Sequence, residues 1–413
     1  MLRLTRAQAQ PIGVDIGHDS VKLLQVQVVG NELEVVAAAK QVIPEEVRAQ
    51  PELRMKTVTD MIRQMLRHQP FIGRNIVTSL PRGIVHVKNL RLPLMPVEEL
   101  EAAVQFEAKN IFPFETEEAY VRYLPAGEVR QGADTRQEVI VLAAKHDDVE
   151  HFIETIHRCG VLDSLDFEPC AIYRGIERFI RRREDEQEVH VLVDVGLIRS
   201  QVIIGKGRDI SFVKPIDIGG RNLNEAVSRK LGISIEEARS LRRRLAETNE
   251  ASDTARKDPV RQAVHDATRS AMEELGREIS LCLRYYSVTF RGQRPNRVKL
   301  IGGEACDPQL HVILNSVLTI PAEPARPLRN ASISRMKATD RSGLLCEWSV
   351  AFGLGLKKTE GYFGSPDGVP RAIRASTGAE VIDLSSAMES SDGIGRSVSA
   401  NATPATPAEV TNA

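Results

Sequence analysis

The chain has 413 residues, 42% hydrophobic and 4% aromatic, with 55 basic and 56 acidic side chains that leave a formal charge of −1. That length exceeds what one core organises, so two or more domains are expected, and the balanced charge gives no reason to expect nucleic acid or an anionic membrane as a bulk partner. No apolar run reaches the ~18 residues a spanning helix needs; Met1 to Gln10 has two arginines but no leader-like apolar stretch; five cysteines without a Cys-x-x-Cys pair fit reduced thiols in a cytoplasm better than a zinc site.

Residues 12–43 read as a strand ending in Asp-x-Gly (Asp15, Gly17), a second strand from Ser20 to Val29, a break at Gly30-Asn31 and a third strand. A helix is expected at 52–69, where Met55, Val58, Ile62 and Met65 recur at helical spacing, and a buried strand from Asn75 to Leu80. Residues 84–168 change texture and read as a compact α/β insert with strands at 84–92, 119–124, 138–144 and 164–168 and helices at 97–110 and 147–159. A short helix around Tyr173 to Phe179 leads to a charged joint, Arg181 to Glu186.

Residues 189–220 then repeat the first design: a strand ending in Asp194-Val195-Gly196, a second strand from Ser200, a break at Gly207, and a third strand running to Gly219-Gly220. Helices are expected at 222–230, after Ser234 with Glu237 placed as in a capping box, and across 260–289. Thr248 to Asp258 reads as a polar loop, Arg297 to Ile301 as a buried strand entering Gly302-Gly303, and Trp348 to Leu356 as a final helix with Trp348 in its core. From Lys357 the Ser, Ala, Thr, Pro and Gly content cannot offset ordering entropy, so a disordered tail is expected.

The chemistry sits at the turns. Glycine lets backbone pass close to a phosphate whose oxygens take amide hydrogen bonds, and a strand-end aspartate can hold Mg²⁺ through water. Asp15, Gly17, Ser20 and Lys22 offer this in the first copy; Asp194 and Gly196 offer it in the second. Gly219-Gly220 opens a helix that could face an anion or ribose, and Gly302-Gly303 could pass beneath a flat base. A plain tight turn is the simpler reading of any one of these, but four in this order suggest two similar lobes around one ligand. His146, His151 and His157 have no cysteine or paired carboxylate to complete a metal set and read as surface residues. Arg242-Arg243-Arg244, mixed with glutamates on a helix, reads as a solvated face.

This order of turns resembles the actin-like ATPase superfamily, and within it the type IV pilus assembly PilM family, itself similar to the cell-division protein FtsA. The residues carrying the likeness are Ile12 to Val26, Leu90 to Phe114, Val191 to Gly196, Ile216 to Ser234 and Leu300 to Ala305. The resemblance covers about residues 10–357. It implies an α/β fold with two actin-like (ribonuclease H-like) lobes around a nucleotide cleft, an FtsA-type insert and the disordered tail. In residue numbers this means a first lobe over 1–83, an insert over 84–168, a second lobe over 169–356 with a helical subdomain near 222–290, and a tail over 357–413.

The resemblance also implies ATP with Mg²⁺, the metal at Asp15 and Asp194. Nucleotide contacts carried over are Asp15, Gly17, Ser20 and Lys22; Gly196 and Ser200; Gly219 and Gly220; and Gly302, Gly303 and Ala305. Arg242 stands at a position where the family has a lysine near the adenosine, and Arg239 replaces the expected ribose-binding glutamate. His18 and Asp19 replace small hydroxyl residues, and Asp19 would need a cation beside it if a γ-phosphate lay near. Leu197-Ile198-Arg199 replaces a hydroxyl-rich run, with Arg199 able to add a phosphate contact. The implied function is a cytoplasmic scaffold at the inner membrane that binds the short N-terminal tail of a PilN-like bitopic protein, touches membrane only through that partner, and is at most a slow ATPase. FtsA-like self-association is allowed. A small-molecule kinase on the same fold and a nucleotide-free protein acting only by contacts are the alternatives.

Overall fold

Each copy of the sequence repeat folds as a three-stranded meander, and each meander seeds its own sheet. A computed structural model describes residues 8–359, apart from 31, 133, 181, 248–257, 291–293 and 338–342. The expected polar loop, except Asp258, and the expected disordered tail, except 357–359, lie outside the described residues.

After β1 (Gln8–Ala9), the first meander is β2 (Ile12–Ile16), β3 (Ser20–Val29) and β4 (Glu32–Val42), followed by α1 (Glu45–Arg48), α2 (Pro51–His68) and β5 (Asn75–Ser79). Strand β2 lies antiparallel to β3 and parallel to β5. The next strands leave this sheet. β6 (His86–Pro93), β7 (Ala119–Gln131) and β8 (Asp134–Lys145) form an antiparallel sheet in the order β6-β8-β7, covered by α3 (Val97–Ile111). Its core joins Leu100, Val104 and Ala108 of α3 to Val121, Tyr123, Val139 and Val141.

The expected insert of 84–168 is divided by the structure. Helix α4 (His146–His157) packs beside α2, and β9 (Val161–Asp166) pairs in parallel with β5, extending the first sheet. The physical reason is connectivity: β5, α4 and β9 form a parallel crossover, and the three-stranded sheet is lodged within its connection.

Helix α5 (Glu168–Glu177) leads to the second meander, β10 (Val189–Val195), β11 (Ser200–Lys206) and β12 (Asp209–Ile216). Among the described residues three helices follow: α6 (Gly220–Leu231), α7 (Ile235–Glu247) and the 32-residue α8 (Pro259–Phe290). The capping box forms as expected, with Ser234 Oγ accepting from the Glu237 amide at 3.2 Å. β13 (Val298–Ile301) runs parallel to β10, and β14 (Ala322–Pro324) follows α9 (Pro308–Val317). Helix α9 is absent from the sequence reading, although Asp307 caps it and Pro308 opens it.

The chain then returns to the first sheet. β15 (Ala331–Ser332) pairs with β4, and α10 (Ser349–Gly355) packs on β2 and β3. The end of the expected second lobe therefore completes the first one, with Trp348 and Phe352 buried against Leu24, Val26 and Val35. The sheet orders are β15-β4-β3-β2-β5-β9, with β1 on β3, and β12-β11-β10-β13-β14.

Glycine permits two backbone approaches here. A Cβ on Gly13 would sit 2.1 Å from the Ala351 carbonyl oxygen, and one on Gly353 only 1.7 Å from that of Ala171. Helix α10 is thereby pressed against β2 on one side and α5 on the other. The insert is also tied to the second sheet. Ala126 and Ile140 share a core with Ile210 and Val213, and the Tyr285 hydroxyl on α8 donates to buried Glu138 at 3.1 Å. Among the described residues no helix is long and apolar enough to cross a membrane.

Candidate functional site

In an antiparallel hairpin, register decides which side chain faces a strand-end acid. Asp15 pairs with Lys22 across β2 and β3, which brings the Lys22 ammonium 2.9 Å from Asp15 Oδ2. Burial works against the Lys22 charge, but Asp15 outweighs it and holds the ammonium pKa above its usual range. The turn closes tightly: a Cβ on Gly17 would lie 3.0 Å from the Ser20 carbonyl oxygen. From α2, Arg54 Nη2 donates to the Gly17 carbonyl at 2.8 Å, while its buried Nε has no partner.

The second hairpin has the same register, but Asp194 faces Gln201 instead of a lysine. Its cation comes from the other lobe. Arg82, just beyond β5, bonds Asp194 Oδ2 and also grips Glu168, with Nε 2.8 Å from Oε2. Its Nη1 lies 3.3 Å from the Arg199 carbonyl, and Gln201 Nε2 donates to Glu168 at 3.3 Å. Burial opposes the Arg82 charge, but the two carboxylates raise its pKa beyond the usual guanidinium value. Gly302, at φ +93°, folds over the same aspartate; a Cβ there would lie 2.3 Å from Asp194 Oδ1.

A third cluster spans the cleft mouth. Asp19, in the first turn, is bonded by Arg239 of α7 and lies 3.1 Å from Arg48 Nη2 and 3.6 Å from Arg243 Nη2. Asp19 therefore has the cations its position demands. His18 beside it is held down to a pKa of about 4 by partial burial and by Arg54 and Arg48, so its imidazole is neutral near pH 7.

These groups line a cavity of about 490 Å³ between the two sheets, within the range of small-molecule sites. The structure brings together Asp15, Gly17, Ser20, Lys22, Asp194, Gly196, Gly302 and Gly303 on its wall. Ser200, Gly219, Gly220, Arg242 and Ala305 do not line it, and each has another structural task. Ser200 Oγ donates to the Ile218 carbonyl at 2.6 Å. The amides of Gly220 and Arg221 bond the Gly196 and Leu197 carbonyls at 3.0 and 2.7 Å, and Gly219 N donates to Asn222 Oδ1 at 2.9 Å. Ala305 is fully buried.

The expected solvated face at 242–244 holds for Arg243 and Arg244, which are exposed, but not for Arg242. Arg242 is buried and bonds Glu304 at 2.8 Å and Asp307 at 3.1 Å, while Arg243 lines the cavity. The charged contributors missed from the sequence include Arg54, Arg82, Glu168, Glu304 and Glu347. A signal for Arg82 existed in the missing lysine at position 201, which left Asp194 in need of a distant cation.

The residues fit a nucleotide. The cavity has the volume, Gly303 leaves open space where a side chain would project, the Arg54 Nε lacks an acceptor, and Arg54, Arg82, Arg199, Arg239 and Arg243 offer guanidinium groups at the wall. They fit Mg²⁺ poorly. Both oxygens of Asp194 are engaged or covered, Asp15 is neutralised by Lys22, and no group of three or more His, Cys, Asp or Glu among the described residues is arranged to hold a metal.

Two sheets seeded by repeated Asp-x-Gly meanders, facing one cleft and joined through the packed helices α5 and α10, define an actin-like protein. The chain belongs to the type IV pilus assembly protein PilM family, whose model matches residues 13–359. Among solved structures it is similar to a PilM–PilN type IV pilus biogenesis complex, 23% identical over 84% of this chain and 98% of that chain, with a TM-score of 0.68. It is more distantly similar to the ethanolamine utilization protein EutJ from Carboxydothermus hydrogenoformans, 13% identical over 84% of this chain and 89% of that one, at a TM-score of 0.49. At 23% identity the PilM–PilN likeness speaks to the fold alone.

Proposed function

We propose that this chain is a nucleotide-binding scaffold of the type IV pilus machinery, holding ATP between its lobes and the N-terminal tail of a PilN-like membrane protein on its surface. Family membership over residues 13–359 carries the proposal. The solved PilM–PilN complex of the same fold supports the choice of partner. In this reading the protein meets the inner membrane through that partner.

ATP, when bound, supplies a chain of phosphates that both lobes can hold. Arg54 and Lys22 serve the first lobe, and Arg199, Arg239 and Arg243 the second. Nucleotide then favours the closed arrangement by the difference in its affinity for closed and open forms. Turnover is expected to be slow. A base that activates water or an acceptor hydroxyl needs a free group with a suitable pKa, yet each acidic residue lining the cavity already has a cationic partner. The pairs are Asp15 with Lys22, Asp194 and Glu168 with Arg82, Glu304 with Arg242, and Glu347 with Lys40, besides the Asp19 cluster. His18, held to about 4, is a weak base. The same pairing argues against a small-molecule kinase.

The direct test is calorimetry of the full chain with a synthetic peptide matching the cytoplasmic N-terminal tail of the PilN-like protein. Saturable one-to-one binding is expected. No heat at several hundred micromolar peptide, with or without ATP, would remove the scaffold assignment.

A further inference from the structure

The two meanders differ at one register position, and that difference bears on the metal. Residue 22 is the lysine facing Asp15, while residue 201, seven places after Asp194 as Lys22 is after Asp15, is glutamine. A strand-end aspartate without a facing cation is the arrangement that can accept a hydrated divalent ion. Here the vacancy left by Gln201 is filled from the other lobe. The Arg82 guanidinium bonds Asp194 and Glu168 together and reaches the Arg199 carbonyl of the second turn. A Cβ on Gly196 would sit 3.7 Å from Arg82 Nη1, so the guanidinium lies directly against the second Asp-x-Gly.

We infer that Arg82 takes the place of the divalent cation at the second turn, so that this chain binds nucleotide without Mg²⁺. The inference rests on the nucleotide reading above and adds to it the charge state of the ligand. A metal entering here would have to displace a guanidinium bonded to two largely buried carboxylates, and would then meet an Asp194 whose other oxygen lies under Gly302. Removing one partner from such a pair leaves charges unpaired in a low-dielectric site, which is costly. Arg82 itself is about one-third exposed and lines the cavity, so part of its fork remains open to a phosphate oxygen. Further guanidinium groups line the cavity: Arg54, whose buried Nε has no partner, and Arg199, Arg239 and Arg243, which a phosphate would share with Asp217 and Asp19. The cation also links the lobes. It is carried after β5 of the first sheet and bonds the end of β10 in the second, so the closure a metal would share through two aspartates is made by a side chain.

The test is titration calorimetry of the full chain with ATP in excess EDTA and again in millimolar Mg²⁺. The affinity in EDTA is expected to equal or exceed that in Mg²⁺. Tightening by Mg²⁺ of more than threefold would overturn the inference and leave the nucleotide site standing. No binding in either buffer would overturn both. These two titrations need no variant. Arg82→Gln is expected to weaken binding in EDTA at least tenfold, and Gln201→Lys added to it, restoring the first copy's pairing, to recover most of the loss. Undiminished binding by folded Arg82→Gln in EDTA would also count against the inference. A Mn²⁺ spin-resonance titration supplies a separate readout: the protein with ATP should bind no more Mn²⁺ than the same ATP in buffer, and added binding at one site per chain would contradict it.

Discussion

Replacing Arg239 by alanine removes the α7 cation that bonds Asp19 across the cleft mouth, and every consequence for ATP has the same sign. Arg239 is 14% exposed and Asp19 24% exposed, whereas its other partners, Glu236 at 3.6 Å and Glu45 at 3.9 Å, are nearly half exposed. Solvent screens those two, so the bond to Asp19 dominates. Its loss opens one cross-lobe contact, subtracts one positive charge from the cavity wall, and leaves Asp19 less compensated. A charge about 4 Å from a phosphate oxygen is worth ~1–4 kcal/mol between aqueous and protein-surface dielectric. The desolvation needed to make the contact leaves about 1.5 kcal/mol, close to that of a charge-assisted hydrogen bond, or roughly tenfold in Kd. Calorimetry or a fluorescent ATP analogue measures this on a variant shown to be folded by circular dichroism. An affinity within twofold of wild type would refute the placement of phosphate beside Arg239.

Gly353→Ala should destabilise the protein by about 3 kcal/mol or more, because its Cβ meets backbone of α5 that cannot move aside. Gly73→Ala, at φ +75° with open space around it, should cost only about 1 kcal/mol in the same urea titration. Arg91→Ala leaves Glu138, 3% exposed, with the Tyr285 hydroxyl as its one remaining side-chain partner among the described residues. Urea unfolding should show a loss of about 2 kcal/mol, with hydrogen exchange rising first in β6 and β8; no change in either would contradict the Arg91–Glu138 pairing within the insert. His18 should not titrate by NMR between about pH 7.5 and 5, since its pKa is held near 4. The sign for stability follows from linkage: an unfolded chain takes up this proton near pH 6.5 and the folded one does not, so stability falls as pH drops from about 6.5 towards 4. An inflection for His18 near pH 6.5 would contradict the arginine cluster around it.

Much of the architecture was legible because it repeats. The two Asp-x-Gly meanders announced themselves by identical spacing, Trp348 took the core position its setting implied, and the Ser234 box formed. What escaped the sequence is what depends on long-range return. β9 looked like the end of the insert because it follows it in the chain, yet its hydrogen bonds go to β5. α10 looked like the end of the second lobe, yet its apolar face and glycines fit β2 and α5. The site showed the same division. The turn residues were visible as local patterns, whereas Arg82 and Arg54 are ordinary arginines until folding sets them against Asp194 and Gly17. The resemblance set Arg242 near the adenosine and its helix pattern set it towards solvent, but Glu304 and Asp307 turn it inward.

The most direct measurement is hydrogen–deuterium exchange of the full chain with and without saturating ATP. If one nucleotide is held by both lobes, the backbone at 16–20 in the first turn and at both 196–199 and 302–304 in the second lobe should gain protection together, at the same ATP concentration. Protection confined to one lobe, or none at concentrations that saturate binding, would contradict a shared nucleotide cleft.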